Sequence, residues 1–410
     1  MKALLLLLVS SLWVEVVRAD DWFWIDAKIN GKPVRLVLDT GCDPHLVLFR
    51  DTAQRLRLKL QEAKTVSGRW ITEESTVKLP WSFWGFARAR ARLVVLDVPS
   101  HLFRGGIHMD GAVGWAILGD RILELDAARQ KYQFLRKVPK ATATWTRLAL
   151  RTNLPSGSRV LALDLPNADR SKGVLLVDTG AGGTGVELSP RRWREWKAVH
   201  TNQTTLTAKY MPTVGMYAQE QAWADNLSLG PLELTDVLIQ EADPIFARSL
   251  PDYAGTLGLE ALKRLDLIVD GKHGIAYLRP KQTPSAPGEH NRLGAVFVPR
   301  DDQSDDLVAH VLDASPAYEG GIRNGDVLLS IGGRDVTSWR TDPGDPFEWA
   351  FESPAGTALE LTVKRGDLTF KAIVLLREIL QSPQGIARRC DKGVGAHENC
   401  LTRLNLLGAQ

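Results

Sequence analysis

The 410-residue chain predicts a mainly β fold: two homologous β-rich lobes on one chain, followed by a small α+β module. Three observations carry this expectation. An apolar strand running into Asp-Thr-Gly occurs twice, at Val34–Gly41 and at Val174–Gly180. A second pair of elements, Asp110-Gly111-Ala112-Val113-Gly114 and Ala254-Gly255-Thr256-Leu257-Gly258, is followed at the same offset by apolar strands ending in Asp126 and Asp270. Finally, the Pro/Ser/Gly-rich stretch Lys281–Gly288 interrupts the pattern, and a different alternation of short strands and glycine turns begins.

Composition narrows the possibilities before any motif is read. Hydrophobic residues are 44% and charged residues 24%, as in an ordinary globular protein, which excludes a wholly disordered chain or a polytopic membrane protein. Lys and Arg number 51 against 48 Asp and Glu, with no dense basic block, so nucleic-acid binding gets no support from charge. Three cysteines are too few for a disulfide scaffold.

Residues 1–19 read as a secretory leader: Met1-Lys2, the apolar run Ala3–Val9, and Val17-Arg18-Ala19 before the expected cleavage point. An uncleaved signal anchor is the other reading of the same residues. With the leader removed, no second apolar stretch reaches membrane-spanning length, so the mature chain is expected to be exported without stable membrane insertion. Cys390 and Cys400 in the polar tail could pair in an oxidising compartment or stay reduced.

The first lobe, residues 20–140, opens with an apolar strand from Trp22 to Ile29 and the turn Asn30-Gly31-Lys32-Pro33 before the Asp-Thr-Gly strand. The second lobe, residues 141–280, repeats this with Val160–Leu165 and the turn segment Asn167–Gly173. There Ser189-Pro190 marks a helix start, Ser as the N-cap and Pro at the first helical position. After Asp126 and Asp270 further strands are expected at Lys131–Leu135 and Gly274–Leu278.

An apolar strand into Asp-Thr-Gly, with an apolar-apolar-Gly element downstream and both present twice, resembles the aspartic proteases of the pepsin and retropepsin kind over about 260 residues. The resemblance implies a bilobal pepsin-like acid-protease β-barrel fold with Asp39 and Asp178 as the catalytic dyad. It further implies that Thr40 and Thr179 brace the two loops, that Gly41 and Gly180 allow close backbone approach, and that Gly114 and Gly258 pack beneath each loop. Both aspartates lie on one chain, so no homodimer is required. Two carboxylates held close together share one proton, an arrangement that suits hydrolysis of a peptide bond by an activated water. The implied partners are peptides or unfolded proteins, with no cofactor and no metal.

The chain departs from pepsins where Cys42 and Ala181 follow the two Asp-Thr-Gly turns. Cys42 reads as a small buried filler or as a reactive thiol. Val66–Val77, with Trp70 among turn residues, is the flap candidate, and it has no Tyr of the kind pepsins place there. Gly180-Ala181-Gly182-Gly183-Thr184-Gly185 fits G-x-G-x-x-G, but the helix start comes only at Ser189-Pro190 and no acidic strand end follows at the required distance, so dinucleotide binding is set aside. His45 and His108 read as surface residues, the eight histidines form no H-E-x-x-H, and G-x-S-x-G is absent. Asn202 and Asn226 begin glycosylation sequons.

After the linker, 281–290, Val308–Leu312 reads as a strand, followed by Ser315-Pro316-Ala317 and Asn324-Gly325-Asp326-Val327. These residues resemble the PDZ domains of bacterial exported proteases over 291–378, with the tail 379–410 left unassigned. The resemblance makes Leu293-Gly294-Ala295-Val296 the carboxylate-binding loop and Pro346–Phe351 the second helix, so that protein C-termini are possible partners. Two functions stay open: an exported aspartic endopeptidase whose PDZ-like module recognises peptides or regulates, and an inactive protease fold serving as a PDZ-mediated peptide-binding protein.

Overall fold

The chain is described here by a computed structural model covering residues 22–380, apart from 44, 59–71, 78–90, 97–108, 155–156, 167–171, 201–203, 212–214, 244–247, 249, 251, 282–289, 302–303 and 340–346. Residues 1–21, the flap-candidate residues 66–71 with Trp70, His108, Asn202, linker residues 282–289, Cys390, Cys400 and the rest of 381–410 lie outside the described residues.

In the first lobe, β1 (Trp24–Ile29) and β2 (Lys32–Asp39) form a hairpin whose turn puts Asn30 and Gly31 at positive φ, as an Asn-Gly turn requires. They are followed by β3 (Leu46–Phe49), α1 (Arg50–Arg55), β4 (Thr72–Val77), β5 (Ala91–Leu96), β6 (Gly111–Gly114), α2 (Trp115–Leu118), β7 (Ile122–Asp126) and β8 (Lys131–Leu135). The second lobe contains β9 (Thr146–Ala149), β10 (Ala162–Pro166), β11 (Lys172–Val177), β12 (Val186–Leu188) and α3 (Pro190–Val199). It continues with β13 (Thr204–Met211), β14 (Gly215–Leu229), β15 (Leu232–Glu241), β16 (Tyr253–Leu257), α4 (Leu259–Leu262), β17 (Leu265–Asp270) and β18 (Ile275–Pro280). Ser189 caps α3 as expected, accepting from Arg192 N.

The duplication reaches into the sheet topology. One sheet runs β1-β2-β6-β3-β5-β4 and the other β10-β11-β16-β12-β15-β14-β13. The matched pairs agree in sense: β2–β6 and β11–β16 are parallel, β3–β6 and β12–β16 antiparallel, β3–β5 and β12–β15 parallel. The mainly β fold is therefore as expected, with one difference. Among the described residues both sheets remain open from edge strand to edge strand, so barrel closure is not seen.

A third sheet, β8-β7-β17-β18-β9, joins the lobes by pairing β7 of one with β17 of the other. Its inward residues, including Leu123, Leu125, Leu267 and Val269, enter a single hydrophobic core with β2, β3 and β11. Burial of that shared core is the main force holding the lobes in register.

The C-terminal module is a separate sheet of β19 (Ala295–Pro299), β20 (Leu307–Val311), β21 (Val327–Ile331), β22 (Arg334–Asp335), β23 (Ala358–Arg365) and β24 (Leu368–Leu375). Helix α5 (Pro316–Glu319) starts at Ser315, whose hydroxyl accepts from Tyr318 N. The expected second helix is a 3-10 segment, Phe347–Glu352. Pro346, the expected first residue of that helix, lies outside the described residues.

Candidate active site

Strands β2 and β11 bring the two Asp-Thr-Gly turns to the junction of the lobes. Their side chains from Leu36 to Leu38 and from Leu175 to Val177 are almost fully buried, which anchors each strand up to its Asp. Parallel pairing with β6 and β16 then supports the turn from below, and Asp178 N donates to Leu257 O at 2.9 Å.

The turns interlock through their threonines. Thr40 Oγ1 donates to Val177 O at 2.6 Å, and Thr179 Oγ1 donates to Leu38 O at 2.7 Å. Each hydroxyl in turn accepts the other residue's backbone N–H, Thr40 N at 3.0 Å and Thr179 N at 3.1 Å. Both threonines are fully buried. Each hydroxyl spends its single proton on a carbonyl of the opposite lobe, so the four bonds form a closed set with no water needed.

The glycines fix how close the carboxyls come. A Cβ placed on Gly41 would lie 2.4 Å from Asp178 Cγ, and one on Gly180 would lie 2.5 Å from Asp39 Cγ. Each lobe's glycine therefore lies directly against the other lobe's carboxyl, an approach that any side chain would block. Within its own turn each carboxyl is oriented by backbone: Gly41 N donates to Asp39 Oδ1 at 2.9 Å, Gly180 N to Asp178 Oδ1 at 2.8 Å. Asp39 is 0% exposed and Asp178 3%. Burial, then the negative charge of Asp39, hold the Asp178 carboxyl well above the usual carboxylate range; the Gly180 N–H opposes them, and Glu187 adds further negative charge. The two Asp-Thr-Gly carboxyls are thus brought together at the lobe junction, each against the turn of the other lobe.

Gly114 and Gly258 are the N-caps of α2 and α4, beneath the turns. The residue after each donates to the residue that follows Asp-Thr-Gly: Trp115 N to Cys42 O at 3.2 Å and Leu259 N to Ala181 O at 2.9 Å. Cys42 is buried in the core, which favours the filler reading over an exposed thiol. The Gly180–Gly185 loop runs into strand β12 rather than a helix, so the phosphate-cradling geometry is lacking.

One group near the turns escaped the sequence reading. Lys209 and Glu187 form an ion pair at 2.8 Å with both side chains fully buried. Glu187 Oε1 also accepts from Gln240 Nε2 at 3.1 Å, and Lys209 Nζ reaches Thr184 Oγ1 at 3.3 Å. The available signal was a charge in the otherwise apolar strand Val186–Leu188, at a position where both faces are covered. Leu293, Gly294, Ala295 and Val296 lie far along the chain in the C-terminal module, and all four are buried. The broad depression of about 830 Å³ lined by Glu124, Asp126, Lys131 and Tyr132 belongs to the shared sheet and includes neither aspartate.

These features define a two-lobed aspartyl protease-like unit with a PDZ domain after it. Residues 25–116 match the family model described as aspartyl protease, and residues 307–365 match that of the PDZ domain. The chain is also similar to "Serine protease HTRA1" of Xenopus tropicalis, 35% identical over 72 residues. That match covers 18% of this chain and 14% of the relative.

Proposed function

We propose that the chain is an exported aspartic endopeptidase, with Asp39 and Asp178 activating a water against a peptide carbonyl. The observation that carries this reading is the reciprocal contact of each turn glycine with the opposite carboxyl. It supports a dyad in which each carboxyl is packed against the opposite lobe's turn.

The chemistry follows from one proton between two acids, as is general for aspartic proteases. The ionised member takes a proton from water as the water oxygen bonds to the carbonyl carbon. The protonated member hydrogen-bonds the carbonyl oxygen and stabilises the developing charge in a water-poor site. Collapse of the tetrahedral intermediate breaks the C–N bond while a dyad proton passes to the leaving nitrogen. Acid and base belong to the pair, whose titration is coupled. The PDZ domain supports a role in recognising peptide or protein chains, and the leader-like residues 1–19 support export. Among the described residues no helix is long and apolar enough to cross a membrane.

The test is cleavage of an unfolded protein by the mature chain and by Asp39→Asn and Asp178→Asn. Both variants should lose cleavage while still unfolding in one cooperative transition, the mark of a folded chain. Equal cleavage by all three would refute the assignment, and so would failure of a pepstatin-like ligand to bind a chain that cleaves.

A further inference from the structure

The carboxylate-binding loop of the C-terminal module, on the PDZ reading given above, is not open to solvent. Leu293 and Ala295 are 0% exposed and Val296 is 2% exposed. Strand β19, which follows the loop, is an edge strand of its sheet and should present a row of unpaired backbone groups. Alternate residues on it point opposite ways. Ala295 and Phe297 belong to the module's own core, whereas Val296 and Val298 do not, yet both are buried. What covers them is lobe 2: β19 packs against β13 and β14.

Three further contacts close the same face. Asn291 Oδ1 accepts from Leu293 N at 2.8 Å and from Gly294 N at 3.1 Å, the place a terminal carboxylate oxygen would take. Thr205 Oγ1 of β13 donates to Asn291 O at 2.7 Å, a buried bond between protease lobe and PDZ module. Ile379 and Leu380, past the last strand of the module, cluster with Trp223 and Leu238 of lobe 2.

We propose that the peptide-binding strand of the PDZ module is masked in cis, with strands β13 and β14 of lobe 2 packed against it and the Asn291 amide oxygen standing in for a peptide carboxylate. A protein C-terminus then competes with lobe 2 for the module, and its apparent affinity is reduced by the fraction of chains that are closed. The same strand links this face to the active site. Thr205 and Lys209 are four residues apart on β13, hence on one face, and Lys209 pairs with Glu187 in the wall beside Asp178. Docking of the module and rigidity of that wall are thus coupled through one strand, and coupling of this kind is reciprocal.

The experiment uses the full chain carrying Asp39→Asn, so that its outcome does not depend on proteolysis. Two probes are compared, a fluorescent decapeptide ending in Val with a free carboxylate and the same peptide amidated. Thr205→Val keeps the side-chain shape and removes the hydrogen bond to Asn291. The free-acid peptide should bind this variant about fivefold more tightly than the parent, the factor expected from one lost buried hydrogen bond. Amide exchange across 295–299 should quicken by a similar factor while β23 is unchanged, showing that the module stays folded. Equal affinity and equal exchange in the two proteins would overturn the proposal. So would equal binding of the amidated peptide, or no binding of the free-acid peptide to either protein.

Discussion

The threonine interlock makes the most direct quantitative prediction. Thr179→Val preserves shape but deletes a hydroxyl that donates to Leu38 O and accepts from Thr40 N, both fully buried. Each backbone group is then left without that partner, at about 1–3 kcal/mol apiece, so the variant should lose about 2–6 kcal/mol of stability. Urea unfolding monitored by tryptophan fluorescence measures this, with the midpoint falling and the slope unchanged. Thr179→Ser returns the hydroxyl and should recover most of the loss. Thr369→Val, at an exposed position of β24, should shift stability by less than about 0.5 kcal/mol. Thr40→Val removes the other two bonds of the set, to Val177 O and from Thr179 N, and should cost a similar amount. If Thr179→Val unfolds at the wild-type midpoint, the closed bonding set does not hold the lobes and the reasoning fails.

Other consequences are as specific. Gly180→Ala places a methyl 2.5 Å from Asp39 Cγ and should cut peptide cleavage on the order of 10²-fold by displacing the carboxyl, measured as kcat/KM alongside an unfolding curve. Lys209→Met strands the fully buried Glu187 charge and should cost about 3–5 kcal/mol, whereas Lys209→Met with Glu187→Leu should recover much of it; equal losses would show that the pair is not coupled. Asp178 binds its proton more tightly folded than unfolded, so its contribution is present at low pH and lost as pH rises above about 4 through the raised value. Asp178→Asn should therefore be more stable than wild type at neutral pH, with the advantage vanishing in acid. Glu378 behaves oppositely: burial raises its pKa, but His290 and Arg292 outweigh that and bring it to about 2. Its stabilisation is present above the ordinary value and lost as pH falls toward 2, so Glu378→Gln should flatten that stretch of the stability–pH curve.

Local chemistry that repeats along the chain was legible before any coordinates. The doubled Asp-Thr-Gly, the glycines under each turn and the Ser189-Pro190 helix start are short-range patterns whose residue types serve one backbone geometry. Strands β7, β8 and β17 fall at Ile122–Asp126, Lys131–Leu135 and Leu265–Asp270, as the apolar runs predicted. The pairing of β7 with β17, the burial of Lys209 against Glu187, the open sheets and the covering of β19 by lobe 2 were not legible. Each joins residues distant in sequence, and a strand's own alternation says which side is apolar without naming what will cover it. Only tertiary packing makes that choice, because the free energy of burying a face depends on the complementary surface that meets it.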